Sequence, residues 1–214
     1  MSLLAEQNPA DCRSRLVQAA IEVFAEQGYR ASIDTVASRA DVARQTLYNH
    51  FPCKADLFAE VVRQATATLL ITLEGEDYTL RERLLRFGLA YRSKLMSTEG
   101  LGFYRTVIAE ATRFPDLAAS FYRTGPLQTA ERLSGVLSNA MDRNEFRRED
   151  PIFAAGMLLS MLVGNERSRY LCSGEPPPEP EPDLVAKIID CYLRSFARQP
   201  HPSHSTPAPQ RSMS

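Results

Sequence analysis

The stretch that most constrains the fold of this chain runs over residues 31–54 and reads ASIDTVASRADVARQTLYNHFPCK. Its apolar residues recur at helical spacing on both sides of a turn at residues 41–43, which predicts two short helices. The second helix, over residues 44–51, has Leu47 and Phe51 four positions apart on one face and polar side chains elsewhere. A helix that buries one stripe and presents hydrogen-bonding groups on the rest suits the major groove of DNA. We therefore predict a helix-turn-helix.

Four segments around this motif resemble the DNA-binding head of TetR-type transcriptional repressors. They read RLVQAAIEVFAEQGY, SIDTVA, TLYNHF and KADL, and the similarity extends over about residues 16–57. The most specific part is TLY-x-HF followed three residues later by lysine, because a bare helix-turn-helix pattern is a weak signal. A looser similarity to the AefR-like branch of this family extends from Phe114 to Gly164 and is carried by RFPDLAxxFYxxGP.

Helical periodicity continues through most of the chain without a run of alternating strands, which disfavours α/β enzyme folds. We expect an all-α protein with a three-helix helix-turn-helix head over residues 9–53 and a helical body over residues 54–198. Residues 175–182, EPPPEPEP, predict an extended linker before the last helix. Residues 199–214 are rich in Pro, Ser and His and predict a disordered tail. The resemblance implies that the body binds a ligand and forms a dimer.

The second helix of the motif supplies the candidate DNA contacts. Arg44 and Gln45 open it, at positions that usually reach base edges, where arginine favours guanine and glutamine favours adenine. The resemblance implies further contacts to phosphates or bases by Thr35, Thr46, Tyr48, His50 and Lys54. Lys54 begins the next helix, where its charge and the helix amides together favour a phosphate. The alternative for Tyr48 is that its ring packs on the first helix.

Three positions depart from the family pattern. The usual glycine of the turn is Asp41, which can adopt a left-handed backbone conformation at modest cost. The usual Ser or Thr cap of the recognition helix is Ala43, and losing that cap costs about 0.5–2 kcal/mol. Cys53 replaces a capping residue before the next helix. Because it lies at a helix start beside Lys54, it is either a reactive thiol or simply a small residue at a cap.

Aromatic and methionine side chains are concentrated in the body, which indicates an apolar cavity with a few polar groups. The candidate lining residues are Tyr91, Phe103, Tyr104, Phe121, Tyr122, Met157 and Met161. Each of these side chains taken singly is also consistent with ordinary core packing. The prediction of a ligand cavity therefore rests on the resemblance more than on the residues.

The helices predicted over residues 152–171 and 184–196 are apolar on more than one face, which is unexpected for helices with water on one side. The resemblance implies that two copies of the chain pair these helices in a four-helix bundle. A dimer also matches the two-fold symmetry of DNA half-sites. The candidate interface residues are Leu159, Val163, Ile188 and Tyr192. The alternative is a buried helical hairpin in a monomer.

Composition and charge exclude several classes of protein function. The net charge is −1, and six basic residues oppose six acidic ones up to residue 54, so attraction to DNA must come from their arrangement.

No stretch approaches the ~18 apolar residues of a membrane span, and the first residues lack a signal-peptide pattern, so we expect a cytoplasmic protein. Four scattered cysteines predict neither a metal site nor disulfides. Without a catalytic triad or a phosphate-binding glycine loop, we expect no enzyme and no cofactor.

Together with these observations, the resemblance implies a homodimeric repressor that binds a palindromic operator in double-stranded DNA and is released by a small apolar ligand. Two alternatives stay open. One is a ligand-independent or redox-sensing regulator that acts through Cys53. The other is a ligand-binding protein whose head has lost DNA affinity, which would agree with Ala43 and with the balanced charge of the head.

Overall fold

The computed structural model describes residues 9–75, 77–179 and 181–197, and over these residues the chain is all-α, which confirms the predicted fold class. The helices of this part of the chain are α1 (Pro9–Gln27), α2 (Ile33–Arg39), α3 (Arg44–His50), α4 (Lys54–Leu70), α5 (Leu80–Leu95), α6 (Thr98–Glu110), α7 (Pro115–Tyr122), α8 (Gln128–Asp142), α9 (Pro151–Ser173) and α10 (Pro182–Ser195). A 3-10 turn extends α4, and a π-helical turn joins α7 to α8. The expected tail over residues 199–214 lies outside the described residues.

Helices α1, α2 and α3 form the helix-turn-helix head. Gly28 ends α1 with a φ of +70°, and the Ser32 hydroxyl caps α2 by accepting a hydrogen bond of 3.1 Å from the Asp34 amide. Asp41 has a φ of +52°, so it supplies the left-handed conformation that the turn needs. Leu47 of α3 is fully buried in the head, as the helical spacing predicts.

The apolar core of the head extends into the body. Phe58 of α4, Val107 of α6 and Leu117 of α7 belong to the same buried cluster as the head residues. The ring of Tyr29 meets Phe58 edge-on, with 5.3 Å between ring centres. A small domain can bury only a limited apolar surface, and the contacts with α4, α6 and α7 enlarge the core of the head. Helices α4, α6 and α7 therefore all connect the head to the body.

A second apolar cluster fills the body between α5, α8, α9 and α10. Leu133 of α8 and Ile189 of α10 are fully buried within it. Gly88 lets α5 approach α10 closely, because a Cβ atom at this position would lie 2.9 Å from Cγ1 of Val185. Residues 174–179, between α9 and α10, are not helical, as their prolines predict.

Helix α6 contains Gly100 and Gly102, although two glycines this close together in a sequence usually indicate that a helix is interrupted. The Ser97 hydroxyl caps this helix by accepting a hydrogen bond of 2.9 Å from the amide of Gly100, so the helix begins before both glycines. A Cβ atom on Gly100 would lie 2.1 Å from the carbonyl oxygen of Lys94 at the end of α5. Glycine is therefore required at this position by the close approach of two chain segments.

The Gly125-Pro126 pair, which also suggests a break, lies within the π-helical turn over Arg123–Leu127. Proline cannot donate a backbone hydrogen bond, and a wider turn accommodates this loss. The Thr129 hydroxyl donates a hydrogen bond of 2.9 Å to the carbonyl oxygen of Gly125. A Cβ atom on Gly125 would lie 3.1 Å from Cγ1 of Val62, so the turn packs closely against α4.

Helix α9 is kinked at Gly164, where φ is +35° and ψ is −139°. A kink removes hydrogen bonds between successive turns, and the freed carbonyl groups need other donors. Nη1 of Arg92 in α5 donates to one carbonyl oxygen beside the kink, that of Leu162, and Nη2 donates to Oε2 of the Glu166 side chain at 2.7 Å. The Arg92 residue is only 7% exposed, so this contact holds the kink from the interior of the body.

Candidate nucleic-acid interface

Arg44 and Gln45, the first two residues of α3, are exposed, as residues that read base edges must be. Nη1 of Arg44 donates to Oδ2 of Asp34 in α2 at 3.1 Å, and its guanidinium carbon lies 5.5 Å from the centre of the Tyr48 ring. Nε2 of Gln45 donates to Oδ1 of Asn49 at 3.1 Å. Surface contacts of this kind contribute little stability. They orient both side chains and are weak enough for DNA to replace them.

The neighbouring candidates are less exposed. Thr46, Tyr48 and His50 are half-buried in α3, and Thr35 is half-buried in α2. The Tyr48 side chain packs against the apolar core of the head and keeps part of its surface in solvent. Its ring therefore supports the helix, and its partial exposure is compatible with a phosphate contact by the hydroxyl.

Helix α3 begins without a side-chain cap, because Ala43 has no hydrogen-bonding group. The preceding turn is held from α1 instead. Nη2 of Arg15 donates to the carbonyl oxygens of Ala40 and Asp41, at 2.5 Å and 2.8 Å. These two bonds satisfy carbonyl groups at the end of α2 that lack partners within the helix. The departure at Ala43 thus leaves the turn intact.

Other arginines of the head, which sequence reasoning missed, link the helices around α3 through ion pairs. Arg13 of α1 pairs with Glu60 of α4 and places its guanidinium carbon 4.7 Å from the centre of the Phe51 ring. Nη1 and Nη2 of Arg39 donate to the two carboxylate oxygens of Glu26, at 2.6 Å and 2.8 Å. The sequence contains no local signal for the Arg13–Glu60 pair, because its two residues lie 47 positions apart.

Lys54 lies at the junction between the head and the body. The residue is half-buried, and its Nζ atom lies 4.5 Å from the centre of the Tyr29 ring. Burial lowers the pKa of Lys54, and the negative charge of Glu110 opposes that shift. Nε of Arg30 donates to Oε1 of the same Glu110 at 2.6 Å. Lys54 therefore has a structural role here besides any contact with phosphate.

The exposed thiol of Cys53 donates a hydrogen bond of 3.1 Å to Oδ2 of Asp56. A neighbouring carboxylate does not stabilise a thiolate. The ammonium group of Lys54 lies over the Tyr29 ring. This geometry gives no support to the alternative in which Cys53 senses oxidants.

Three of the candidate ligand residues meet where α6 and α7 approach the head. The Phe103 ring stacks on Phe58, with 4.6 Å between ring centres, and lies 6.0 Å from the Phe121 ring. The Tyr104 ring lies 6.4 Å from Phe121 and has the guanidinium carbon of Arg167 4.5 Å from its centre. We call Phe103, Tyr104 and Phe121 the aromatic seam, because they lead from the head core towards α9.

The other four candidates lie in different surroundings. Tyr91 is buried in the body core, and Met157 and Met161 pack against that core. Burial raises the pKa of Tyr91, against an opposing effect of Arg167. The side chain of Tyr122 is exposed. The described part of the body has two open cavities, of about 360 Å³ and about 620 Å³. None of the seven candidate ligand residues lines either cavity.

The four candidate dimer residues divide into two pairs. Leu159 and Ile188 are half-buried on α9 and α10 and keep surface available to a partner. Val163 is 4% exposed and Tyr192 is fully buried, and the Tyr192 hydroxyl donates a hydrogen bond of 2.8 Å to the carbonyl oxygen of Ala154. Val163 and Tyr192 belong to the core of the single chain, because they face the inside of the body. They have no surface to offer a second copy.

Helix α9 exposes other apolar surface that sequence reasoning missed. Ile152 is 51% exposed and Phe153 is 55% exposed. A Cβ atom on Gly156, one turn further along, would meet nothing within 4 Å. The sequence shows that α9 is apolar on several faces, but it does not show which face the body covers. This exposed part of α9 is open to contact with another helix.

Within the described ranges, no helix has the length and apolar character needed to cross a membrane. The same residues contain no group of three His, Cys, Asp or Glu side chains placed to hold a metal ion.

Comparison with known families gives two matches that together cover most of the chain. The profile of bacterial regulatory proteins of the tetR family matches residues 16–61. The profile of the C-terminal domain of AefR-like transcriptional repressors matches residues 82–198. The first match contains the helix-turn-helix, and the second contains the body helices from α5 onwards.

Similar individual proteins include regulators of transcription. The HTH-type transcriptional activator FasR of Mycolicibacterium smegmatis is 39% identical over 59 residues, a match that spans 27% of this chain and 27% of FasR. An uncharacterised HTH-type transcriptional regulator of Mycobacterium tuberculosis is 25% identical over 185 residues, 83% of each chain. Among solved structures, the flavonoid-responsive regulator FrrA is 29% identical, with a TM-score of 0.67 over 87% of this chain and 95% of FrrA.

Proposed function

The chain belongs to the TetR family of transcriptional regulators, in its AefR-like branch, and we propose that it is a homodimeric repressor that leaves a palindromic operator when a small apolar ligand binds. The observation that carries this proposal is the exposure of Arg44 and Gln45 at the start of a recognition helix whose opposite face is buried. Exposed donors on a packed helix are what direct contact with base edges requires.

In this proposal Arg44 and Gln45 read bases in the major groove. Side chains around them fix the head on the sugar-phosphate backbone, namely Thr35, Thr46, Tyr48, His50 and Lys54. The nearby carboxylate of Asp34 holds the guanidinium of Arg44 in place before DNA is bound. We divide the chain functionally into a DNA-binding head over residues 9–53 and a ligand-binding and dimerisation body over residues 54–198.

The proposed dimer contact uses the outward surface of α9 and α10. Leu159 and Ile188 keep partly exposed apolar surface on these helices, and the exposed Ile152 and Phe153 extend it. Apolar surface of this extent favours a contact with a second copy. Two copies related by two-fold symmetry would present two recognition helices to two half-sites.

The proposed ligand contacts lie along the aromatic seam and include Tyr91, whose hydroxyl is influenced by Tyr104 of the seam. Flat apolar ligands stack well on such rings. FrrA is described as flavonoid-responsive, which supports an aromatic ligand for this chain. A ligand that entered between α6 and α7 would displace helices that share the core of the head. It would thereby shift the dimer towards a head separation that no longer fits the operator.

The first test is fluorescence anisotropy with DNA from upstream of the gene, at two salt concentrations. We expect tight binding that weakens with salt, and a loss of about 1–3 kcal/mol together with relaxed base preference for Arg44→Ala. The control is Arg132→Ala, a body residue whose exposed side chain pairs with Glu74 at 3.5 Å and which should bind like the unmodified protein. The proposal would be contradicted if the unmodified protein bound this DNA no more tightly than random DNA, and if Arg44→Ala bound both with the same affinity as the unmodified protein.

The direction of regulation needs a separate readout, because 59 residues of this chain are similar to a transcriptional activator. Transcription of a reporter from the same upstream DNA should fall when the protein is expressed. A rise in reporter transcription would show that the protein is an activator. The proposed contacts with DNA would be unaffected by that result.

A further inference from the structure

Asp34 of α2 brings a negative charge next to the proposed base contact of Arg44. Nη1 of Arg44 donates to Oδ2 of Asp34 at 3.1 Å, and the two side chains are 63% and 53% exposed. The ion pairs of Glu26 with Arg39 and of Glu60 with Arg13 join residues that are not candidate DNA contacts. The pair of Arg44 and Asp34 is therefore exposed at the surface that is proposed to face DNA.

A carboxylate at such a surface lowers the affinity for DNA in general, because it is repelled by the phosphates of every sequence. Arginine donates to phosphates as well as to guanine, so arginine alone does not ensure that a base is read. A carboxylate beside the arginine disfavours the phosphate. It does not disfavour a base edge, which is neutral and contains donors as well as acceptors. The pair is therefore suited to selecting a base.

Asp34 is held on a fixed part of the head. It is the second residue of α2, and its amide donates to the capping hydroxyl of Ser32. Its neighbour Ile33 is buried in the head core. The guanidinium of Arg44 also contacts the ring of Tyr48, with 5.5 Å between the guanidinium carbon and the ring centre. Side chains that are oriented before binding lose less conformational freedom when they bind.

The pair keeps most of its hydrogen-bonding groups for DNA. A guanidinium has more donors, and a carboxylate more acceptor sites, than a single hydrogen bond uses. Among the described residues, no other side chain donates to the Asp34 carboxylate. Arg44 can therefore bind a base while it stays bonded to Asp34.

The order of these groups matches the major-groove edge of a G·C base pair. That edge presents two acceptors, N7 and O6 of guanine, followed by a donor, the N4 amino group of cytosine. The pair presents the donors of Arg44 followed by an acceptor oxygen of Asp34. An A·T base pair would instead place O4 of thymine, an acceptor, opposite the carboxylate. Two acceptors that face each other leave both without a hydrogen bond, which is costly.

We propose that Asp34 is a base-reading residue and that it reads a single G·C base pair of the operator together with Arg44. Arg44 donates to N7 and O6 of guanine, and Asp34 accepts a hydrogen bond from the N4 amino group of the paired cytosine. This inference rests on the proposed DNA-binding function and adds the base pair that the two residues select. It also gives α2 a part in sequence recognition beside α3.

The test uses double-stranded sites that the full chain selects from a pool of random sequences. Fluorescence anisotropy first identifies the G·C base pair at which Arg44→Ala loses its preference for guanine. In a second duplex the cytosine of this pair is replaced by 2-pyrimidinone deoxynucleoside, which lacks the 4-amino group. We expect the unmodified protein to bind this duplex about tenfold more weakly, as the loss of one hydrogen bond to a charged group predicts. Asp34→Ala should bind both duplexes equally.

Asp41→Asn is the matched control. It removes the same charge from a fully exposed side chain of the head, and asparagine tolerates the left-handed backbone of the turn. This variant should keep the difference of about tenfold between the two duplexes.

A purely structural role of Asp34 would weaken the binding of Asp34→Ala to both duplexes and leave the difference between them unchanged. That result would overturn the inference, while the effect of Arg44→Ala would show that the chain still reads DNA. A pool without an enriched site, or a site in which Arg44 selects no guanine, would overturn the proposed role of Arg44 as well.

Discussion

Nε of Arg30, just beyond the end of α1, donates a hydrogen bond of 2.6 Å to Oε1 of Glu110, the last residue of α6, across 80 positions of sequence. Glu110 is 6% exposed, and the same carboxylate acts on the ammonium group of Lys54. One turn earlier in α6, Thr106 packs against Gly28, where a Cβ atom would lie 3.2 Å from its hydroxyl oxygen. The end of α6 is therefore fastened to the head at two points.

Removing the Glu110 charge should loosen this attachment. For Glu110→Gln we expect the free energy of unfolding to fall by about 1–2 kcal/mol, the range for a hydrogen bond between charged groups reduced by the 73% exposure of the Arg30 side chain. Urea unfolding measures this loss. A double-mutant cycle with Arg30→Ala isolates the pair, and Glu145→Gln, which removes a surface pair with Arg143, is the control. A coupling energy near zero would show that the two residues do not fasten the head.

The contact between α5 and α10 should depend on the absence of a side chain at Gly88. Gly88→Ala would place a Cβ atom 2.9 Å from Val185 and 3.1 Å from Leu162, so we expect a loss of about 1–3 kcal/mol from overpacking. Gly135→Ala in α8 is the matched control, because a Cβ atom there meets nothing within 4 Å. The free energy of unfolding of that control should rise by up to about 1 kcal/mol, because alanine has a higher helix propensity than glycine. If both variants unfold at the same urea concentration, the close contact between α5 and α10 at Gly88 does not restrict the side chain at this position.

The proposed dimer predicts a change of molecular mass in solution. Ile188→Glu places a charge on the partly exposed apolar surface of α10, and we expect it to convert the dimer into a monomer. Size-exclusion chromatography with light scattering measures the mass directly. Lys187→Glu, an exposed neighbour on the same helix, makes a larger change of charge and should leave the dimer intact. Dimers of unchanged mass for Ile188→Glu would place the interface elsewhere.

Tyr192 should make the fold sensitive to high pH. Burial raises the pKa of Tyr192, so the folded protein keeps a phenolic proton that the unfolded chain loses near pH ~10. This contribution to stability is complete below that pH and declines as the pH rises above it, because the unfolded state then binds fewer protons. Between about pH 9 and about pH 11 the free energy of unfolding should fall less steeply for Tyr192→Phe than for the unmodified protein.

At neutral pH, Tyr192→Phe should cost about 1 kcal/mol, since it removes the hydrogen bond to the Ala154 carbonyl oxygen. Tyr122→Phe is the control, because it removes the same hydroxyl group from a side chain that is 57% exposed. Identical slopes for all three proteins would show that Tyr192 ionises equally in the folded and unfolded states.

The sequence by itself determined the head and the fold class. The Ser32 cap, the left-handed Gly28 and Asp41, and the buried Leu47 all follow from its local signals. Such features depend on a residue and its neighbours within one or two helical turns, so the local pattern contains the necessary information. The resemblance to a family added the expectation of a ligand and a dimer.

Only the tertiary structure decided which groups meet across the chain. It placed Lys54 on the Tyr29 ring, turned Tyr192 into the body core, and put Gly100 inside α6 against the carbonyl group of Lys94. Helical spacing shows that a helix has apolar faces, but which face is covered depends on the packing of helices that are distant in sequence. The cavity of about 360 Å³ that Arg92 lines arises in the same way, because α5, α6 and the linker after α9 form its walls only after the chain has folded.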